Sequence, residues 1–104
     1  MKIILSRVAL TDLKQIKDFI SKNSLYYADV FTKKLTNSIR KLIDFPNIGR
    51  IVPEYDNINI KEIIYQNYRI IYKIKDNSII YVISIIHGAR DLTSNINLLG
   101  IEDQ

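Results

Sequence analysis

His87 is the only histidine in the chain, and it stands directly after the most apolar stretch, Ile79 to Ile86. Gly88 follows it and Arg90 lies three residues on. A histidine at a strand end, beside a flexible residue and a cation, can titrate near neutrality; beside a core strand it can equally be a structural residue bonded to backbone. Arg69 sits in Tyr68-Arg69-Ile70-Ile71-Tyr72, on the polar side of an alternating run that also carries Lys73 and Lys75. The two lysines read as a solvated row. Arg69 differs because neighbouring tyrosines such as Tyr68 can stack on a base or a guanidinium, and an Arg fork suits two-point phosphate binding. Glu54 follows Val52-Pro53 and is either a carboxylate held by a rigid turn or an ordinary loop acid. These residue types suit metal-independent acid–base chemistry with cationic support, or no chemistry at all.

Other chemistries fit poorly. One histidine and no cysteine cannot make a zinc site or a disulfide. There is no G-x-x-x-x-G-K-[ST] loop, and three glycines do not supply a dinucleotide fingerprint. No serine lies in a G-x-S-x-G setting. No cofactor is expected. No apolar run reaches the roughly 18 residues of a membrane helix, and Met1 to Arg7 is too short and too soon charged for a secretory signal. The expected compartment is the cytoplasm.

The elements that would position these residues follow from periodicity. Lys2 to Leu5 reads as a first strand, and Ser6 as the N-cap of a helix with Ala9, Leu13, Ile16 and Ile20 on one stripe. Lys22-Asn23-Ser24 interrupts it. Ser24 then caps a second helix striped by Ala28, Phe31, Leu35, Ile39 and Leu42, which Pro46 and Gly49 terminate. Strands are expected at Ile48 to Val52, Ile58 to Tyr65, Tyr68 to Lys75 and Ile79 to Ile86. Tyr68, Ile70, Tyr72 and Ile74 share one face of the third of these. Asp76-Asn77 reads as a two-residue hairpin turn, because both residues tolerate φ > 0. The last strand is apolar on both faces and therefore central. The fold class is α+β: a strand, a helical hairpin, then a three- to four-stranded, mainly antiparallel sheet with the helices on one face. One domain spans residues 1–92, and residues 93–104 form a tail or a short helix.

The net charge of +4 is unevenly spread. Residues 1–50 hold ten Lys/Arg against four Asp/Glu, and residues 51–104 hold five against seven. The basic excess thus falls on the helices. It reads either as a solvated face or as an electrostatic footprint for nucleic acid or an acidic protein.

Five blocks occur in order: Ala9-Leu10-Thr11-Asp12-Leu13, Phe45-Pro46-Asn47-Ile48-Gly49-Arg50, Val52-Pro53-Glu54, Asn67-Tyr68-Arg69-Ile70-Ile71-Tyr72 and His87-Gly88-Ala89-Arg90-Asp91. Together they resemble the RelE/ParE toxins of bacterial type II toxin–antitoxin systems, from about residue 2 to residue 92. The resemblance implies inhibition of bacterial growth and a heteromeric complex with a cognate antitoxin. It also implies two mechanisms. One is ribosome-dependent cleavage of mRNA, with Arg69 on the phosphate, Glu54 as base, His87 as acid and Arg90 adding charge. Arg50, Lys61, Tyr68 and Lys73 would then contact substrate. RelE-like enzymes rely instead on lysines and a C-terminal tyrosine; Lys61 is present, but no tyrosine follows Tyr81. The other mechanism is ParE-like inhibition of DNA gyrase without catalytic residues. The long basic hairpin leans toward gyrase, but the Glu54, Arg69 and His87 set tips the expectation slightly toward metal-independent cleavage, with gyrase inhibition as the alternative. An inactive relic that only binds antitoxin is a further reading.

Strand parity adds a condition. With a two-residue turn at Asp76-Asn77, Lys75 pairs with Ser78 and Arg69 faces Ser84. His87 then falls on the opposite face from Arg69. A catalytic pairing of the two requires a bend or bulge near Ile86-His87-Gly88.

Overall fold

Two serine caps set the first half of the chain. In the computed structural model, which describes residues 1–88, Ser6 and Ser24 each accept a hydrogen bond from the backbone N–H three residues on. They open α1 (Arg7–Ser21) and α2 (Leu25–Asp44), which follow the short strand β1 (Lys2–Leu5). The stripe of α2 is buried at all five expected positions, Ala28, Phe31, Leu35, Ile39 and Leu42. On α1, Ala9 and Ile16 are buried, while Leu13 and Ile20 pack at the margin.

Four further strands complete the fold: β2 (Arg50–Ile51), β3 (Ile60–Tyr65), β4 (Tyr68–Lys75) and β5 (Ile79–His87). The sheet order is β1-β5-β4-β3-β2, with β1 parallel to β5 and the other pairs antiparallel. This is the expected α+β arrangement; β5 is an interior strand between β1 and β4, and β4 holds the centre of the sheet. Ile70 and Tyr72 of β4 meet Ile80, Val82 and Ile85 of β5 beneath both helices. A second apolar cluster, Val52, Ile60, Ile71, Ile83 and Ile86, lies on the opposite face. Two expected strands are shorter than their apolar runs: β2 keeps two residues of Ile48 to Val52, and β3 begins at Ile60. Pro53 stops the first, and the Val52–Asp56 turn occupies the chain between them, with Tyr55 and Asp56 N–H both donating to Val52 O.

The register of the last hairpin departs from expectation in two steps. Asp76 and Asn77 do adopt positive φ, and Ser78 N–H closes the turn on Lys75 O at 3.0 Å. Strand pairing starts one residue later, however, with Lys75 opposite Ile79. A bulge then inserts Ile83, so that Tyr72 faces Val82 while Ile71 faces Ser84. Each step moves the register by one residue. Together they leave parity intact: Arg69 is opposite Ile86, Tyr68 is opposite His87, and His87 and Arg69 keep opposite faces. The irregularity lies at Ile83, not near Ile86-His87-Gly88.

Beyond Leu5 the edge of β5 has no strand partner, and two side chains extend the ladder. Ser6 Oγ donates to Ile83 O at 2.6 Å, and Asp12 Oδ2 accepts from Ile85 N–H at 2.9 Å. The α1 carboxylate thereby fixes the helix against the bulge. Asp12→Ala is expected to lower stability by about 1–2 kcal/mol, the range for leaving a buried amide unpaired, measured as a shift of the urea midpoint. Asp12→Asn, which retains an acceptor, should recover part of it.

Candidate functional site

On the face away from the helices, β2, β3 and β4 carry Arg50, Glu62 and Arg69. Arg50 is directly opposite Glu62, whereas Arg69 pairs with Ile64 and so lies diagonal to Glu62. The Glu62 carboxylate is fully buried and bridges both cations, with Arg50 Nε on Oε2 at 2.7 Å and Arg69 Nε on Oε1 at 2.6 Å. Glu54 arrives from the Val52–Asp56 turn. It accepts from both terminal nitrogens of Arg69, Nη1 and Nη2, each at 2.7 Å. Arg69 is 6% exposed, and three of its five N–H groups are held by two carboxylates. The four side chains sum to zero charge.

This geometry sets the protonation behaviour. The paired hydrogen bonds from Arg69 hold the Glu54 carboxyl at about 2, against burial that works the other way. The Arg69 guanidinium is pushed further above its already high range, first by Glu54. A carboxylate of that acidity is ionised at neutral pH but draws protons weakly, so it is a poor general base. It also makes a stability prediction. Because the folded value lies below the ordinary 4.5, the Glu54 contribution is complete above about 4.5 and fades as pH falls toward about 2. Urea midpoints should decline across that window, and Glu54→Gln should be less stable at neutral pH with a flatter acid limb.

A cleft of about 550 Å³ at this end of the sheet is lined by Arg50, Glu54, Gln66, Asn67, Arg69 and His87, among others. His87 is exposed and meets Tyr68 edge-on, with ring centroids 5.7 Å apart. Tyr68 in turn abuts Phe31 of α2 at 5.8 Å. His87 and Tyr68 thus belong to the helix-side face, and His87 shares with Arg69 only the rim of the cleft. Gly88 N–H donates to Asn67 O, which ties the end of β5 to the β3–β4 turn.

Of the residues singled out by sequence, the structure brings Arg50, Glu54, Arg69 and His87 to this cleft. Lys61 lies elsewhere, in a hollow with Asn47, Asn59 and Asp76. Lys73 is four residues along β4 from Arg69, about 13 Å away. It is not part of a solvated row: it is buried, with its ammonium 6.0 Å from the Tyr81 ring centroid and Lys75 at 4.8 Å. A lysine stem covers apolar surface readily, and the ring face attracts the ammonium. Arg90 and the tail, residues 93–104, lie outside the described residues. Sequence reasoning missed Glu62. Its signal was an acid between Ile60 and Ile64 on a face that alternation assigns to the sheet interior.

The fold is that of a small toxin of the RelE/ParE type. Among solved structures the chain resembles one from the chromosomal ParDE toxin–antitoxin system of P. aeruginosa, with TM-score 0.69 and 17% identity over 84% of this chain and 95% of that one. It also resembles one from the RelBE2 toxin–antitoxin complex of Mycobacterium tuberculosis, with TM-score 0.54 and 17% identity over 83% and 95%. At such identities the likeness speaks for the fold alone. No curated protein matches the sequence. The family assignment comes from the sequence itself, since residues 3–92 match the ParE toxin of type II toxin–antitoxin systems. The chain belongs to that family, and it is the toxin component of such a system, with an antitoxin as partner. No helix among the described residues is long and apolar enough to cross a membrane.

Proposed function

We propose that this toxin inhibits growth by binding DNA gyrase, in the ParE manner, and not by cutting mRNA. The observation that carries this reading is the state of Arg69. A phosphate-binding arginine must offer its fork to the ligand, and here Glu54 occupies that fork from two sides while Glu62 holds the remaining edge. Displacing Glu54 would expose a buried cation and strand a carboxylate, at a cost of several kcal/mol before any chemistry. Glu54 is too acidic for an efficient base. His87 lies on the other face from Arg69, and the pairing from Ser84 to His87 is regular, with no bulge after Ile83 to turn it. The match to the ParE family favours the same reading.

The alternative, ribosome-dependent cleavage, draws its support from the shared cleft of Glu54, Arg69 and His87. It requires the ribosome to prise Glu54 from Arg69. Purified protein added to gyrase, plasmid and ATP tests the proposal. It should block supercoiling and leave linear DNA after detergent and protease treatment. Unaffected supercoiling at a molar excess of toxin would reject gyrase as the target.

The antitoxin has a suitable landing place on the hairpin. A groove of about 590 Å³ between α1 and α2 is apolar at Leu10 and Leu13 and rimmed by Lys14, Lys17, Lys33 and Arg40. Such a surface fits an acidic amphipathic helix.

A further inference from the structure

We infer that Arg50 is the contact by which the cleft takes an acidic side chain from the gyrase surface, with Glu62 as the positioning residue that aims it. This rests on the gyrase reading above. Arg50 uses only its Nε, bonded to Glu62 Oε2, while its side chain remains 64% exposed at the cleft. Its two terminal nitrogens therefore carry four N–H groups with no hydrogen-bond partner among the described residues. The guanidinium is nonetheless fixed, because Glu62 is fully buried and is itself held by Arg69. An arginine anchored by one edge and open at its fork is pre-organised for a carboxylate, which it grips in two places. Ordering a free arginine on binding costs side-chain entropy; here the fold has already ordered it.

The surroundings favour a protein carboxylate over a nucleic-acid strand. The network of Arg50, Arg69, Glu54 and Glu62 is neutral overall, and Glu54 stands in the cleft as a fixed anion. A nucleic-acid strand carries a charge at every phosphate and needs a row of cations, whereas this cleft offers one open fork in a network with no net positive charge. A single aspartate or glutamate needs one free fork, which Arg50 supplies. Gln66 and Asn67, on the exposed β3–β4 turn, add amide donors at the mouth.

The test is binding of the purified full-length toxin to gyrase holoenzyme, with the cognate antitoxin and a single-stranded RNA oligonucleotide as separate arms. Arg50→Ala should weaken gyrase binding about tenfold or more, the scale of a lost charge-assisted pair. Arg50→Lys should fall between, since it keeps the charge but not the fork. Antitoxin affinity should stay within about threefold. Should Arg50→Ala fail to fold, Gln66→Glu decides instead: it is isosteric, sits on the exposed turn and places a negative charge at the mouth. It should weaken gyrase binding about threefold. Wild-type affinity for gyrase in folded Arg50→Ala, or in Gln66→Glu where the first does not fold, would overturn the inference and leave the gyrase reading standing. So would an Arg50-dependent affinity confined to the antitoxin or to the RNA. No gyrase binding by the wild-type protein would overturn both.

Discussion

Arg69→Ala is expected to destabilise the protein by about 3–5 kcal/mol, the cost of removing one partner from a buried ion pair. The substitution leaves the Glu62 carboxylate, with a side chain 0% exposed, dependent on Arg50 alone, and it leaves Glu54 without its bidentate partner. Small domains are stable by roughly 5–15 kcal/mol, so the variant should sit at the edge of folding. Chemical denaturation followed by circular dichroism measures this. A dedicated catalytic arginine gives the opposite pattern, an unchanged midpoint with lost activity. The same network allows a sharper test. Replacing Arg69 together with both of its carboxylate partners, as Glu54→Gln, Glu62→Leu and Arg69→Met, should recover most of the loss, because buried ion networks fix geometry more than they add net stability. A triple variant no more stable than Arg69→Ala would assign the loss to packing.

Gly49→Ala should cost about 2–3 kcal/mol, at the upper end of what overpacking typically brings. Gly49 does not have positive φ, so backbone freedom is not the reason. Space is. An added Cβ would lie 2.6 Å from the Tyr72 hydroxyl and 2.7 Å from the Glu62 carbonyl oxygen. The hydroxyl is fixed, since it donates to Pro46 O at 2.8 Å and accepts from Gly49 N–H at 3.0 Å. The Glu62 carbonyl belongs to β3 and cannot retreat without opening the sheet beside Arg50. Tyr72→Phe removes the nearest of three obstacles and leaves the ring carbon Cε1, 2.8 Å from the added Cβ, and the Glu62 carbonyl in place. In a double-mutant cycle Gly49→Ala should therefore cost less in the Tyr72→Phe background, with a coupling of about 0.5–1 kcal/mol read from urea midpoints. Strict additivity would contradict this account of the Phe45–Arg50 block.

Much of the fold was legible because it is set locally. Ser6 and Ser24 act within three residues of themselves, the α2 stripe repeats at helical spacing, and the sequence of Tyr68 to Lys75 alternates apart from Ile71. The last register was not legible. The bulge at Ile83 reflects where β1 ends and where Ser6 and Asp12 take over the edge of β5, which are contacts across more than seventy residues. The candidate site was half legible. Glu54, Arg69 and His87 do reach one cleft, yet their roles turn on Glu62, an acid whose strand position gave no hint that two arginines would share it. A sequence displays an arginine between tyrosines; it does not display that the guanidinium is already occupied. Lys73 shows the same limit, since alternation gives its face but not the Tyr81 ring beside it.

The central claim, a toxin that captures gyrase without cutting RNA, is tested most directly in cells. After brief induction, mRNA 5′ ends and gyrase–DNA cleavage complexes would be mapped from the same cultures. The account predicts covalent gyrase–DNA complexes that accumulate with induction while messages stay intact. Codon-phased mRNA cuts without trapped gyrase would contradict it.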